Sequence, residues 1–326
     1  MAKKKVSEVE RKMQFFHPPQ IDHSFQKVVS YSQYSIWAQC PHRWNLTYIQ
    51  KKQPYQASIH TVFGTAFHET LQSYFKTMYE VSGKASDGMD LKELLRENFS
   101  KLYSEEYGKV KSHFTTPQEM GEFYDDGVAI LDWIQKRRNK LFTIRKVKLL
   151  GIEIPLIQQL RNNVFFQAYI DVVLYDEELD KIYIYDIKTS TRGWNDNDKR
   201  DDAKVAQILL YKQYFANQFN VDVEKIEVEF FIVKRKIWEE SEFPIPRVQS
   251  FKPPSGKIKR KQAVDGFQSF LDDCFDGSGK HQIKSYIKNV GEKSCKWCPF
   301  NDKPELCDKN AGLKPLSKGR PTKNVF

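Results

Sequence analysis

Cysteine is scarce in this chain: five among 326 residues, an odd number. The first residues, MAKKKVSEVERK, are basic but no apolar run follows them, so no secretory signal is read there. A disulfide-stapled fold is therefore not expected, and a metal or cluster site is the better assignment for the thiols. The expected location is intracellular, in the cytoplasm. Long hydrophobic runs are missing as well. None approaches the roughly 20 residues that span a bilayer, so no membrane partner is expected. There is no Walker A loop, which excludes an ATP-driven motor built on one, and no internal repeat, which excludes a solenoid.

What is present describes a globular protein. Hydrophobic residues make up 40% and aromatics 14%, too rich a mixture for a disordered chain. Lys and Arg number 52 against 42 Asp and Glu, a net charge of +10 that favours a polyanionic partner, most simply nucleic acid.

The stretch that organises the rest is FFQAYIDVVLYDEELDKIYIYDIKTS, residues 165–190. It reads as two β-rich strands joined by an acidic turn at 176–181. If Tyr175 pairs with Ile182, antiparallel geometry sets Asp171 opposite Asp186, and side-chain alternation adds Lys188 to the same face. Opposed like charges cost a sheet tenths of a kcal/mol to about 1 kcal/mol, and a divalent cation between them removes that cost. A solvated edge carrying a Lys–Asp ion pair is the competing explanation. A register shifted by one residue would also send the two aspartates to opposite faces.

In chain order, residues 1–28 read as a loose basic N-terminus. The next segment, VSYSQYSIWAQCPHRWNLTYIQKK, holds a short helix capped by Ser32 or Ser35, and Cys40 precedes Pro41 within it. A helix over about 61–80 carries an apolar stripe of Phe63, Phe67, Leu71, Tyr74, Phe75 and Met78. Gly64 and His68 share one face of it, and Gly64 leaves room for a backbone or ligand beside the imidazole. SGKASDGMD reads as a linker, and helices with charges on both sides fill the region to about 140. The first strand of the sheet, VKLLGIEIPLIQQL, holds Glu153 between two isoleucines. After the hairpin, a helix starting near Asp201 or Asp202 places Gln207 and Tyr211 one turn apart. The strand KIEVEFFIVKRK ends in Lys234, Arg235 and Lys236, expected to track phosphates, with Trp194 or Tyr211 stacking a base. Residues 239–262, with four prolines, read as a loop. A helix near 263–275 contains Cys274, and the chain closes with SCKWCPFNDKPELC (Cys295, Cys298, Cys307) and a basic tail over 308–326.

The ordered set of Gly64-x3-His68, Glu153, Asp171, Asp186-x-Lys188 and Gln207-x3-Tyr211 resembles the RecB-like branch of the PD-(D/E)XK nucleases. Cys40-Pro41 and Cys295-x2-Cys298 with Cys307 are similar to its iron–sulfur-binding members, among them AddB-type nuclease domains and stand-alone CRISPR-associated nucleases. The resemblance runs from about residue 31 to 307. It implies a restriction-endonuclease-like α/β fold: a central mixed sheet flanked by helices, one domain over 29–307, a helical insertion at about 85–140 and a cysteine cap at about 290–307.

The resemblance also implies roles. His68, Asp171, Asp186 and the Ile187 carbonyl would ligate Mg²⁺ or Mn²⁺, with Glu153 a weaker ligand. Lys188 would orient the attacking water, and Gln207 and Tyr211 would position the strand or the lysine. Cys40, Cys295, Cys298 and Cys307 would hold a [4Fe-4S] cluster, with Zn²⁺ as the alternative. The eight residues between Cys298 and Cys307 would have to loop out, and Cys274 reads instead as the apolar face of its helix. The expected activity is a metal-dependent DNase, an exonuclease on single strands or DNA ends in recombination, repair or replication. A structure- or site-selective endonuclease and a catalytically inactive DNA-binding subunit are the alternatives. A helicase or recombination protein is the expected kind of partner.

Overall fold

The structure, a computed structural model, describes residues 6–238 and 240–308. It begins with α1 (Glu8–Gln14), β1 (Lys27–Val29), α2 (Tyr31–Gln39), α3 (Pro41–Trp44) and a π-helical turn at Asn45–Ile49. Helices α4 (Ile59–Glu80), α5 (Gly83–Asp87), α6 (Leu91–Val110), α7 (Pro117–Lys136) and α8 (Arg138–Leu141) follow. Three strands come next: β2 (Val147–Arg161), β3 (Val164–Asp176) and β4 (Lys181–Ser190). The remainder is α9 (Asp196–Lys199), α10 (Asp202–Phe219), β5 (Ile226–Lys234), β6 (Val248–Phe251), α11 (Lys257–Cys274) and α12 (Glu292–Cys295).

The six strands form one mixed sheet in the order β1-β3-β4-β5-β6, with β2 also paired to β3. Pairs β1/β3 and β4/β5 are parallel, whereas β3/β4 and β5/β6 are antiparallel. This is the α/β architecture expected, a central mixed sheet flanked by helices. By contact the described chain divides into two compact units, residues 6–20, 56–158 and 168–263 in one and 21–55, 159–167 and 264–308 in the other.

The first core is built on α4. Ser58 accepts a hydrogen bond from His60 N (3.2 Å) and caps the helix, and the stripe from Phe63 to Met78 is buried throughout. It packs with Leu91, Leu95 and Phe99 of α6, Phe123, Ile130, Leu131 and Ile134 of α7, and Val172, Leu174 and Ile187 of the sheet. Close approach of α7 depends on Gly127: a Cβ there would lie 2.6 Å from Leu95 Cδ2. The second core is aromatic. Trp44 sits against Phe270, Phe275, His281 and Tyr286, while Phe267 meets Tyr34 and Phe166.

Four local expectations are corrected. Residues 8–14, expected to be loose, form α1 behind a Ser7–Glu10 capping box. Val9 is buried, and Phe16 meets Phe219 edge to face at 5.2 Å. The cap of α2 is Ser30, which accepts from Gln33 N, rather than Ser32 or Ser35. The linker SGKASDGMD contains α5, nucleated by Ser82 accepting from Ala85 N. The proline-rich 239–262 stretch holds β6, four residues on the edge of the sheet, and the start of α11 beyond Pro253 and Pro254. All but one residue of the expected basic tail, 309–326, lies outside the described residues, as do 1–5.

Candidate active site

The β3–β4 turn sets the register of everything that follows. Asp176 accepts hydrogen bonds from Glu178 N (2.9 Å) and Leu179 N (3.0 Å), and Asp180 turns the chain with φ +51°. Tyr175 then pairs with Ile182, and the ladder continues to Val172 opposite Tyr185. The next step brings Asp171 to Asp186. Asp171 Oδ2 accepts the Ile187 N–H at 2.6 Å, and Lys188 Nζ lies 2.7 Å from Asp186 Oδ2. The register that joins the aspartates is therefore the one adopted.

Asp186 continues the inward alternation of Ile182 and Ile184 and is only 2% exposed. Its Oδ2 has no hydrogen-bond donor, because the Lys188 ammonium, though close, stands off the hydrogen-bonding direction. Burial raises the Asp186 pKa against the opposing pull of Lys188. Burial and then the neighbouring Asp186 charge raise that of Asp171 further, with Glu153 adding to the repulsion. His68, on α4, places Nδ1 3.8 Å from Asp171 Oδ2. Desolvation, helped by the Lys188 charge, lowers its pKa to about 4, so the imidazole is neutral at pH 7 with a lone pair to offer.

His68 and Lys188, with the Ile187 that bonds Asp171, border a cleft of about 570 Å³ also lined by Gly64, Glu69, Gln72 and Glu153. Gly64 faces Thr189, whose Oγ1 would lie 3.2 Å from a Cβ at this position, so the glycine lets α4 come close to β4 beside His68. Glu153 has a left-handed backbone, φ +50°, unusual for a non-glycine within a strand and costing on the order of 1–3 kcal/mol. Its Oε1 accepts a 2.5 Å hydrogen bond from Gln72 Nε2. Sequence reading missed Gln72 and Glu69. The available signal was spacing, since Gln72 follows His68 by four and so shares its helical face.

The sequence profile of the PD-(D/E)XK nuclease superfamily matches residues 28–303, most of the chain and all the groups just described. The chain belongs to the PD-(D/E)XK nuclease superfamily. No curated protein matches it. Membership supports a metal-dependent nuclease, a hydrolase of phosphodiester bonds, in a superfamily whose members generally use Mg²⁺ or Mn²⁺.

The donors suit such an ion: two facing carboxylates are hard ligands for a hard cation, one of them balanced by the Lys188 ammonium at 2.7 Å. As the side chains stand, Lys188 and the Ile187 N–H occupy the carboxylates. Among the described residues no three His, Cys, Asp or Glu side chains close to a metal-ligating arrangement. Gln207 and Tyr211 are joined to each other, with Gln207 Nε2 donating to Tyr211 Oη at 2.9 Å on α10, the helix that packs on β4 and β5. That bond does not connect them to the carboxylates.

Two of the residues expected to contact DNA, Arg235 and Tyr211, are corrected for this nuclease. Arg235 forms a 2.9 Å ion pair with Asp126 and lies 3.7 Å over Phe123, and Lys236 also reaches Asp126 at 3.0 Å. Both cations neutralise a nearly buried carboxylate on α7; Arg235 is largely buried by this pairing, whereas the Lys236 side chain stays 46% exposed. Tyr211 is 5% exposed and has no face to offer a base. Trp194 packs on Phe230 and Phe251, with its backbone held by both ends of the Gln249 amide.

In the other unit, Cys40 joins α2 to α3 ahead of Pro41, and Cys298 N–H donates to Cys295 O at 3.0 Å, closing the C-x2-C turn. The residues between Cys298 and Cys307 fold as turns around the fully buried Phe300, and Asn289 N–H points to Cys40 Sγ at 3.4 Å. Burial raises the pKa of the Cys307 thiol, and Cys40, Cys298 and Cys295 raise it further while Lys288 opposes them. The other three thiols thus lie within electrostatic reach of Cys307, while no metal-ligating arrangement closes among the described residues. Cys274 is buried in α11, its thiol pushed up by desolvation with Asp273 and Lys284 as its charged neighbours. No helix among the described residues is long and apolar enough to cross a membrane.

Proposed function

We propose that this nuclease is a DNase that degrades single-stranded DNA or DNA from free ends, in the cytoplasm, in recombination, repair or replication. The observation that carries the reading is the meeting of Asp171, Asp186 and Lys188 at one edge of the hairpin beside His68. His68, Asp171, Asp186 and the Ile187 carbonyl hold Mg²⁺ or Mn²⁺ in this reading, with Glu153 at the margin of the same cleft. The bound cation polarises the scissile phosphate and lowers the pKa of a coordinated water. Lys188, once Asp186 turns to the cation, has an ammonium free to orient the attacking water and to offset charge on the phosphate. Gln207 and Tyr211 support β4 from behind as a bonded pair. The net charge of +10 supports a polyanionic substrate, and the likeness to the RecB-like branch supports DNA, its ends, and a helicase or recombination protein as partner.

The same reading assigns Cys40, Cys295, Cys298 and Cys307 to a [4Fe-4S] cluster of structural purpose, with Zn²⁺ as the rival occupant. Its support is that Cys40, Cys295 and Cys298 all lie near enough to Cys307 to act on its thiol, and the separate, apolar setting of Cys274. The deciding experiment is digestion of end-labelled linear and circular single-stranded DNA and of RNA, with Mn²⁺ and with EDTA. Mn²⁺-dependent loss of linear DNA alone is expected, and Asp186→Ala should abolish it. Cutting of circles would replace the exonuclease by an endonuclease, and binding without cleavage would make the protein a DNA-binding subunit. Full activity in Asp186→Ala would remove the site assignment altogether.

A further inference from the structure

We propose that Gln72 is a positioning residue that holds Glu153 as a third acidic group facing the cation of the cleft. The inference rests on the reading of that cleft as the metal site. Gln72 is, with Thr70, one of two polar side chains among the buried residues of α4, 7% exposed on a helix whose Leu71 and Tyr74 are fully buried. A side-chain amide buried there needs a partner. It finds one across 81 residues of sequence, donating to Glu153 Oε1 at 2.5 Å.

The acceptor is not a core group. Glu153 is exposed, and both residues line the cleft that also holds His68 and Lys188. The backbone of Glu153 adds a second, independent observation. Its φ of +50° takes this single residue out of the extended conformation of β2. Strain of this kind persists where the surroundings over-determine it, and such positions cluster at functional sites. Gln72 also repeats the spacing of His68, one helical turn further on, so α4 presents an imidazole and a carboxylate-holding amide along one line. A buried donor gripping an exposed carboxylate does little for the core. It does fix where the carboxylate points, leaving Oε2 for the cleft.

Direct Mn²⁺ titration of the metal-free protein without DNA, read by the EPR signal of free Mn²⁺, tests the proposal. Gln72→Met keeps length and apolar volume but removes the donor, and should weaken Mn²⁺ binding by about 10-fold or more, the loss typical of removing a partner of a ligand. Glu153→Gln should do the same, and the double variant should be no weaker than the worse single, since both act through one carboxylate. Melting in EDTA checks that each variant is folded. If Gln72→Met does not fold, Gln72→Asn, one methylene shorter, takes its place. Unchanged affinity in the Gln72 variant, or fully additive losses in the double, would overturn the positioning role while leaving the metal site intact. A wild-type protein that binds no Mn²⁺ would overturn the metal reading and this inference with it.

Discussion

Acidification should unfold the metal-free protein earlier than its carboxylates alone would require, and His68 is the reason. Its pKa falls from an ordinary 6.5 to about 4 through desolvation beside the Lys188 charge. Asp171, at 3.8 Å, would favour the imidazolium if it were ionised, but its own pKa is raised by burial and by Asp186, which weakens that support as pH falls. Since the unfolded chain takes up the proton first, stability is lost as pH drops from 6.5 and the loss is complete below about 4. At 1.36 kcal/mol per pH unit the difference amounts to about 3 kcal/mol, an upper figure because the side chain is 24% exposed. Urea unfolding of the wild type and His68→Asn in EDTA, from pH 8 to 4.5, isolates this contribution, since the other titrating groups largely cancel in the difference. The two stability curves should diverge by about 2–3 kcal/mol toward the acid end, with the wild type falling faster. Parallel curves would refute the buried, neutral imidazole. Asp171 and Asp186 act in the opposite sense: their raised pKa values make the metal-free fold pay for charge as pH rises, and Mn²⁺ should reverse that cost.

Asp126→Ala should destabilise the protein by about 3 kcal/mol, toward the low end for breaking a buried pair, because it leaves Arg235 largely buried without its partner; a loss under about 1 kcal/mol in urea unfolding would mean the pair is solvated. Protein prepared without air should be brown and contain iron and acid-labile sulfide. Cys307→Ser should abolish both and Cys274→Ala neither; stoichiometric zinc in colourless protein would replace the cluster by a zinc clip, and metal retained in Cys307→Ser would remove Cys307 from the site.

Much of the fold was legible because its strongest signals were local. The alternation of 165–190 and its acidic turn specified the hairpin, whose register only the structure fixed, and the apolar stripe of 63–78 specified α4. The failures share a physical cause. β1 and β6 are three and four residues long and exist through pairing with β3 and β5, which no local pattern encodes. At the site, residue types and spacing brought out the carboxylates, Lys188 and His68. The spacing of Gln72 from His68 was there to read, but its role was missed because its partner lies 81 residues away. Arg235 misled because basic residues in a row say nothing of Asp126, more than a hundred positions earlier, to which it is bound.

The bond from Ile187 N–H to Asp171 bears on how this site could decay. Beyond Val172 and Tyr185 the carboxylate takes over a donor that a strand neighbour would otherwise satisfy, so Asp171 belongs to the sheet as well as to the chemistry. Asp186 supports no such rung; burial raises its pKa although the Lys188 ammonium, 2.7 Å away, offsets part of that cost. The two aspartates are thus unequal under mutation. A lineage released from selection for cleavage gains stability by neutralising Asp186 and loses it by truncating Asp171. Descendants that abandon catalysis should therefore carry Asn or an apolar residue at 186 while keeping an acceptor at 171, leaving an inactive site with its scaffold intact.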